Sequence, residues 1–191
     1  STYGFQKLAS EYFAKGAWEQ HRLPYTILRP FNCVGIGERK AVRDSAVTSG
    51  NVKLALSHVV PDLVVKMLRG QDPLVIFGDG SQVRHYTYGG DLARGVRLAI
   101  ESARAVNNDF NLSTARSTTV LELAQSIWRK INGDRPFRCV SEPPFEHDVQ
   151  RRVPDVRKAR DVLGFEAETS LDEMLDEVIP WIRGEMAAGR F

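Results

Sequence analysis

Thiols are scarce in this chain: Cys33 and Cys139 are its only cysteines in 191 residues. Two cysteines so far apart form no disulfide framework and cannot build a metal site alone, so no metal is expected. That usage fits a reducing, cytoplasmic setting, which is the expectation here. Long apolar runs are missing as well. None approaches the ~20 residues a membrane-spanning helix needs, so no membrane partner is expected. The opening residues Ser1–Lys7 lack the charged-then-apolar layout of a secretion signal. A surplus of one charge is also absent. The 26 Lys+Arg against 24 Asp+Glu leave a net +2, far from the basic footprint of a nucleic-acid binder. No internal repeat or low-complexity tract occurs. What remains is ordinary globular composition, with 42% hydrophobic, 26% charged and 9% aromatic residues. The length suits one domain, or one plus a small extension.

Apolar spacing organises the rest. Phe5, Leu8, Ala9, Tyr12, Phe13 and Ala17 form a helical stripe from Tyr3 to about His21. A chain that opens directly on a helix, with little to cap it, is expected to begin in the middle of something. Leu23-Pro24 stops that helix. Tyr25–Leu28 reads as a short buried strand, and Asn32–Ser57 as a long charged loop. Pro61 opens a helix to about Arg69. Leu74–Phe77, a turn at Gly78–Ser81 and Val83–Tyr88 together predict a hairpin. Asp91 is placed as the cap of a helix to about Glu101. Phe110–Leu112 and Phe137–Val140 read as strands. Thr119…Glu122 and Ser170…Glu173 are capping boxes opening two helices, and Val156–Leu163 is a short helix stopped by Gly164. Strands alternating with helices predict an α/β fold.

Tyr3 and Lys7 stand at i and i+4 on one helix face. An ammonium beside a phenol favours the phenolate and lowers the tyrosine pKa, which makes a proton donor or acceptor usable near neutrality. Alone, the pair is weak: five tyrosines and seven lysines produce roughly 0.2 such pairs by chance. The context adds to it. The Tyr-x-x-x-Lys helix is followed by a strand ending Arg29-Pro30-Phe31-Asn32 and by Gly35-x-Gly37. Then come His58-Val59-Val60-Pro61, Val75–Arg84, Asp91-Leu92-Ala93, Phe110-Asn111-Leu112 with Val120–Ala124, Asp148-Val149, Asp155-x-x-Lys158-Ala159, Leu163-Gly164-Phe165 and Ser170–Glu173. This collinear set resembles the extended short-chain dehydrogenase/reductase family, and within it the nucleotide-sugar epimerases and dehydratases, over essentially the whole chain.

The resemblance implies the C-terminal part of a Rossmann-type doubly wound parallel sheet with a smaller α/β substrate-binding domain. Residues 1–57 and about 82–114 would be the remainder of the NAD-binding Rossmann domain. Residues about 58–81 and 115–191 would bind the nucleotide sugar. Tyr3 would be the catalytic acid/base. Lys7 would bind the nicotinamide ribose of NAD and lower the tyrosine pKa. Pro30 and Phe31 would lie near the nicotinamide, and Asn32 would touch the substrate diphosphate. Val75, Ile76 and Phe77 would line the nucleobase slot, Val59 would belong to the substrate site, His58 would stand near the base or diphosphate, and Arg84 would neutralise the diphosphate. Relatives carry a further arginine where this chain has Phe145 or Glu146, so Arg151 or Arg152 would take its place. His85 stands where many relatives have aspartate. The helix from Tyr3 to His21 would form a homodimer.

Dinucleotide binding in such folds uses a glycine-rich turn between a strand and a helix. No Gly-x-Gly-x-x-Gly or Gly-x-x-Gly-x-x-Gly occurs here. The resemblance therefore implies the C-terminal portion of a longer NAD-dependent enzyme. The expected reaction is epimerisation of a UDP-sugar at C4 through a transient 4-keto sugar. Dehydratase, decarboxylase and reductase chemistry stay open within the family, as does a non-catalytic sugar-nucleotide-binding fragment.

Overall fold

The computed structural model describes residues 2–37, 58–144 and 149–190, with Tyr3 described by its backbone alone. Most of the charged loop (38–57) and Phe145, Glu146 and Asp148 lie outside the described residues. The chain is α/β, as expected. Helix α1 (Thr2–His21) leads into β1 (Thr26–Pro30) and β2 (Cys33–Val34); α2 (Val59–Leu68) leads into β3 (Leu74–Phe77), β4 (Val83–Arg84) and β5 (Thr87–Tyr88). Then follow α3 (Gly89–Glu101), β6 (Asn108–Leu112), β7 (Thr118–Thr119), α4 (Val120–Asn132), β8 (Cys139–Glu142), α5 (Arg157–Leu163) and α6 (Leu171–Ala187). Strands β1 and β6, β2 and β5, and β3 and β8 pair in parallel, whereas β4 and β7 pair antiparallel.

The expected hairpin does not form. Strand β3 runs parallel to β8, some sixty residues on, with Val75 opposite Val140. Gly78 and Gly80 both take positive φ, at 70° and 79°, and Asp79 accepts from the Ser81 N–H at 2.9 Å. That turn carries the chain away from β3 to the start of α4, where Leu121 N–H donates to the Gly80 carbonyl at 3.0 Å. The expected strand Val83–Tyr88 is split: β4 pairs with β7 and β5 with β2. Cys33–Val34, read as loop, is thus a strand, too short to show any periodicity.

Local signals set the helix ends. Thr119 Oγ1 accepts from Glu122 N–H at 3.1 Å while a Glu122 carboxylate oxygen accepts from Thr119 N–H at 2.7 Å. Ser170 and Glu173 repeat this reciprocal box on α6. Each such cap contributes about 1 kcal/mol. Helix α2 starts at Val59, two residues earlier than expected, because the N–H that Pro61 lacks is one the first turn leaves unused anyway. Asp91 does not cap α3. It lies inside the first turn and accepts from Arg94 at 2.9 Å and from the Thr169 N–H at 2.9 Å, tying α3 to the entrance of α6.

Two clusters form the core. The larger joins α2, β3, α4 and α6, with Val64, Leu74, Leu123, Ile127, Leu175 and Ile182 fully buried. Each large apolar side chain contributes about 1.5–3 kcal/mol by burial. The smaller packs Leu92, Phe110, Leu112, Leu163 and Phe165 between α3, β6 and α5.

Candidate functional site

Residues immediately past β1 stand at the carboxyl end of the parallel β1–β6 pair, where α/β sheets bind ligands. Phe31 stays tied there through its N–H to the Leu112 carbonyl, at 3.1 Å. Asn32 then turns the chain with φ 37°, a left-handed conformation asparagine tolerates better than most residues. Its carbonyl accepts from Thr87 N–H at 3.1 Å, and its side-chain amide donates to the His85 carbonyl at 3.2 Å. These bonds join the end of β1 to the β4–β5 segment.

An open cleft of about 570 Å³ lies over this junction, lined among others by Lys7, Glu11, Pro30, Phe31, Asn32 and Arg152. Three of the residues expected at the cofactor end, Lys7, Pro30 and Phe31, therefore converge here, together with Asn32, which was expected at the substrate diphosphate. Tyr3 stands one helical turn before Lys7 on α1, and its side chain lies outside the described residues. Of the two candidate arginines, Arg152 lines the cleft, not Arg151. Residues 150–152 run extended beside Val83, with Val83 N–H donating to the Gln150 carbonyl at 2.8 Å and Arg152 N–H to the Val83 carbonyl at 3.3 Å. Neighbouring side chains of an extended segment point to opposite faces. Arg151 is exposed.

A second, smaller cavity of about 150 Å³ brings together Val59, Val75, Phe77 and Arg84. No site role was expected for Lys66, Gln82 and Tyr86, which also line it. Lys66 donates to the Val75 carbonyl at 3.2 Å, pairs with Asp62 at 2.7 Å, and holds its ammonium 5.3 Å from the Phe77 ring centre. Only its i,i+4 spacing from Asp62 could have hinted at it. The Tyr86 hydroxyl and Gln82 Oε1 are buried without a hydrogen-bond partner among the described residues. Burial pushes the Tyr86 hydroxyl far above the ordinary tyrosine range, against an opposing pull from the Arg84 cation. A buried polar atom facing a cavity awaits a polar ligand atom or water. Arg84 itself donates to the Val83 carbonyl at 2.9 Å. His58 is exposed just ahead of α2, whose first residue, Val59, reaches the cavity. His85 does not face Arg84 in place of an acid. It is buried, with Nδ1 2.9 Å from the Thr114 carbonyl.

Charge is organised around Arg29, which also lines the larger cleft. Its guanidinium forks onto Glu11 with two 2.6 Å bonds and reaches Asp109 at 2.6 Å, and Lys158 meets Asp109 at 2.8 Å. The Arg29 hydrogen bond holds the Glu11 carboxyl below its usual range. Lys158, then Arg29, does the same for Asp109. No cluster of three metal-ligating side chains occurs among the described residues, and Cys33 and Cys139 form no disulfide. No helix among the described residues is long and apolar enough to cross a membrane.

A cationic cleft at the carboxyl end of parallel strands, beside an apolar cavity with its own arginine, suits a dinucleotide and a phosphorylated ligand side by side. Residues 1–113 match the model of the NAD dependent epimerase/dehydratase family. The chain belongs to this family. It is 31% identical over 185 residues to a putative UDP-glucose 4-epimerase of Methanocaldococcus jannaschii, covering 96% of this chain and 53% of that one. It is 35% identical over 120 residues to UDP-glucuronic acid decarboxylase 2 of Arabidopsis thaliana, covering 62% of this chain and 25% of the relative. The UDP-glucose 4-epimerase of Thermotoga maritima, solved with UDP-glucose, superposes with a TM-score of 0.78 at 32% identity, over 96% of this chain and 54% of its own. The chain thus spans about half the length of these 4-epimerases. Members of the family are NAD-dependent enzymes of Rossmann fold.

Proposed function

We propose that this chain carries the acid–base residues and the sugar-nucleotide site of an NAD-dependent UDP-sugar 4-epimerase. The observation that carries the reading is the sorting of the expected residues into two adjoining places. Lys7, Pro30, Phe31 and Asn32 share the larger cleft; Val59, Val75, Phe77 and Arg84 share the smaller cavity. Asn32, bonded to His85 and Thr87, couples the two. The larger cleft fits the nicotinamide–ribose end of NAD, with Lys7 as a polar contact and Pro30 and Phe31 as a flat apolar wall, while Asn32 at its edge is assigned to the substrate diphosphate. NAD, when bound, supplies the acceptor and donor of hydride for the sugar C4. Tyr3 takes the proton of the C4 hydroxyl and returns it, its phenolate favoured by the Lys7 ammonium one turn away. Arg84 holds the diphosphate, for which a guanidinium fork is shaped. Arg152 supplies a second cation from the larger cleft, with Arg151 beside it in sequence, and His58 stands at the entrance to the base slot.

The division into a Rossmann remainder (1–57, about 82–114) and a substrate-binding part (about 58–81, 115–191) follows the same reading, with α5 returning to pack on β6. Phe5, Leu8, Tyr12 and Phe13 stand exposed along α1, which supports a homodimer through this helix. Cys33 and Cys139 are exposed and form no disulfide, which supports a cytoplasmic setting. The Arabidopsis relative favours one second reading, decarboxylation of a UDP-uronic acid. A panel of UDP-sugars separates the two: epimerisation yields the C4 isomer, decarboxylation releases CO2 from UDP-glucuronate. In either case Tyr3→Phe abolishes turnover and leaves UDP-sugar affinity near native; retained turnover sinks the acid–base assignment.

A further inference from the structure

We infer that Arg29 is a positioning residue for the proposed acid–base helix. By forking onto Glu11 it sets where α1 stands against β1, and therefore where Lys7 and Tyr3 stand against Pro30, Phe31 and Asn32. The inference rests on the reading of Tyr3 and Lys7 given above.

Apolar packing does little to hold α1 among the described residues. No α1 side chain belongs to either core cluster, and Phe5 and Phe13 are 70% and 79% exposed. Glu11 contrasts with them, its side chain only 19% exposed. It stands four residues after Lys7, hence on the same helix face. Arg29 stands directly before Pro30. The bridge therefore links the two walls of the cleft through one rigid joint.

That joint is directional. Nε meets one Glu11 oxygen and Nη2 the other, each at 2.6 Å, so both distance and angle are specified. Arg29 cannot swing with the helix, because Nη1 is held on the far side by Asp109 at 2.6 Å. Asp109 is held in turn by Lys158 of α5 at 2.8 Å. Charges of alternating sign thus run from α1 through β1 and β6 to α5. An isolated surface ion pair contributes little, whereas a forked pair anchored in a network defines geometry.

The test uses Arg29→Gln, Arg29→Lys and Glu11→Gln in the active enzyme containing this chain, with UDP-glucose and NAD. A displacement of about 1 Å costs about 100-fold in rate. The expected result is a fall in kcat of roughly 10- to 100-fold for all three, with KM for UDP-glucose within about twofold of native. The pH profile of kcat shifts its tyrosine limb to higher pH, as Lys7 no longer supports the phenolate. Arg29→Lys keeps the charge and loses the fork, so native kcat and pH profile in that variant overturn the inference. So does native behaviour of Glu11→Gln. Tyr3→Phe and Lys7→Met are run alongside: if they turn over normally, the acid–base reading falls; if they are dead while the fork variants are native, only the positioning role falls. Hydrogen exchange on the 191-residue chain gives a readout independent of activity. Arg29→Gln accelerates exchange of α1 amides at least about tenfold and leaves α4 and α6 unchanged. Unchanged exchange in α1, or equal loss of protection everywhere, contradicts the inference.

Discussion

Asp91 shows how a single buried carboxylate ties together segments far apart in sequence. Burial pushes its pKa up, but the Thr169 N–H and the Arg94 guanidinium outweigh that and hold it below the ordinary aspartate value. A group whose folded pKa is depressed contributes stability above its unfolded pKa, about 3.9, and loses it as pH falls through the folded value. Asp91→Ala is expected to cost about 1.5–3 kcal/mol at neutral pH, the range for hydrogen bonds to a charged group. The difference from the native protein shrinks as acid protonates Asp91. Denaturant melts at pH 7 and pH 3 check this, and an equal deficit at both would contradict it. At the same scale, the site was only partly legible. Arg84, Lys7 and Asn32 stand in spaced motifs, and each lines one of the two cavities. Arg152 was not separable from Arg151, because one step along an extended segment reverses the face and nothing local says which face is inward. Lys66 belongs to no motif. It enters the cavity through helix geometry that appears only once α2 and β3 are packed.

Between elements, α3 approaches the β6–α5 cluster closely. A Cβ at Gly95 would meet the Phe165 ring at 2.9 and 3.0 Å and Leu112 at 3.1 Å. Phe165 and Leu112 are fully buried, so neither can give way cheaply. Gly95→Ala gains helix propensity but overpacks this contact, and is expected to destabilise by about 1–3 kcal/mol net. A melting temperature at or above native would show that the cluster can adjust. Elements whose signals lie within a few residues were readable beforehand, such as α4 and α6 behind Thr119 and Ser170, or α5 closed at Gly164, which takes φ 65°. Pairings were not. Strand β3 looked like half of a hairpin because Gly78–Ser81 has hairpin turn residues, yet its partner β8 is distant in sequence and leaves no local trace.

Across the whole molecule, two ligands are treated unequally. On the proposed reading the base slot and the diphosphate cation lie among these residues, and the glycine-rich pyrophosphate cradle of a Rossmann domain does not occur in the 191. The chain should therefore hold UDP on its own and hold NAD poorly. The most direct measurement is calorimetric titration of the 191-residue chain with UDP and, separately, with NAD, beside Arg84→Ala. The prediction is one UDP site per chain, NAD binding far weaker than UDP, and a loss of about 1.5–3 kcal/mol in UDP affinity for Arg84→Ala, roughly 10- to 150-fold in Kd. No UDP binding, an unchanged Kd in Arg84→Ala, or NAD bound as tightly as UDP would contradict it.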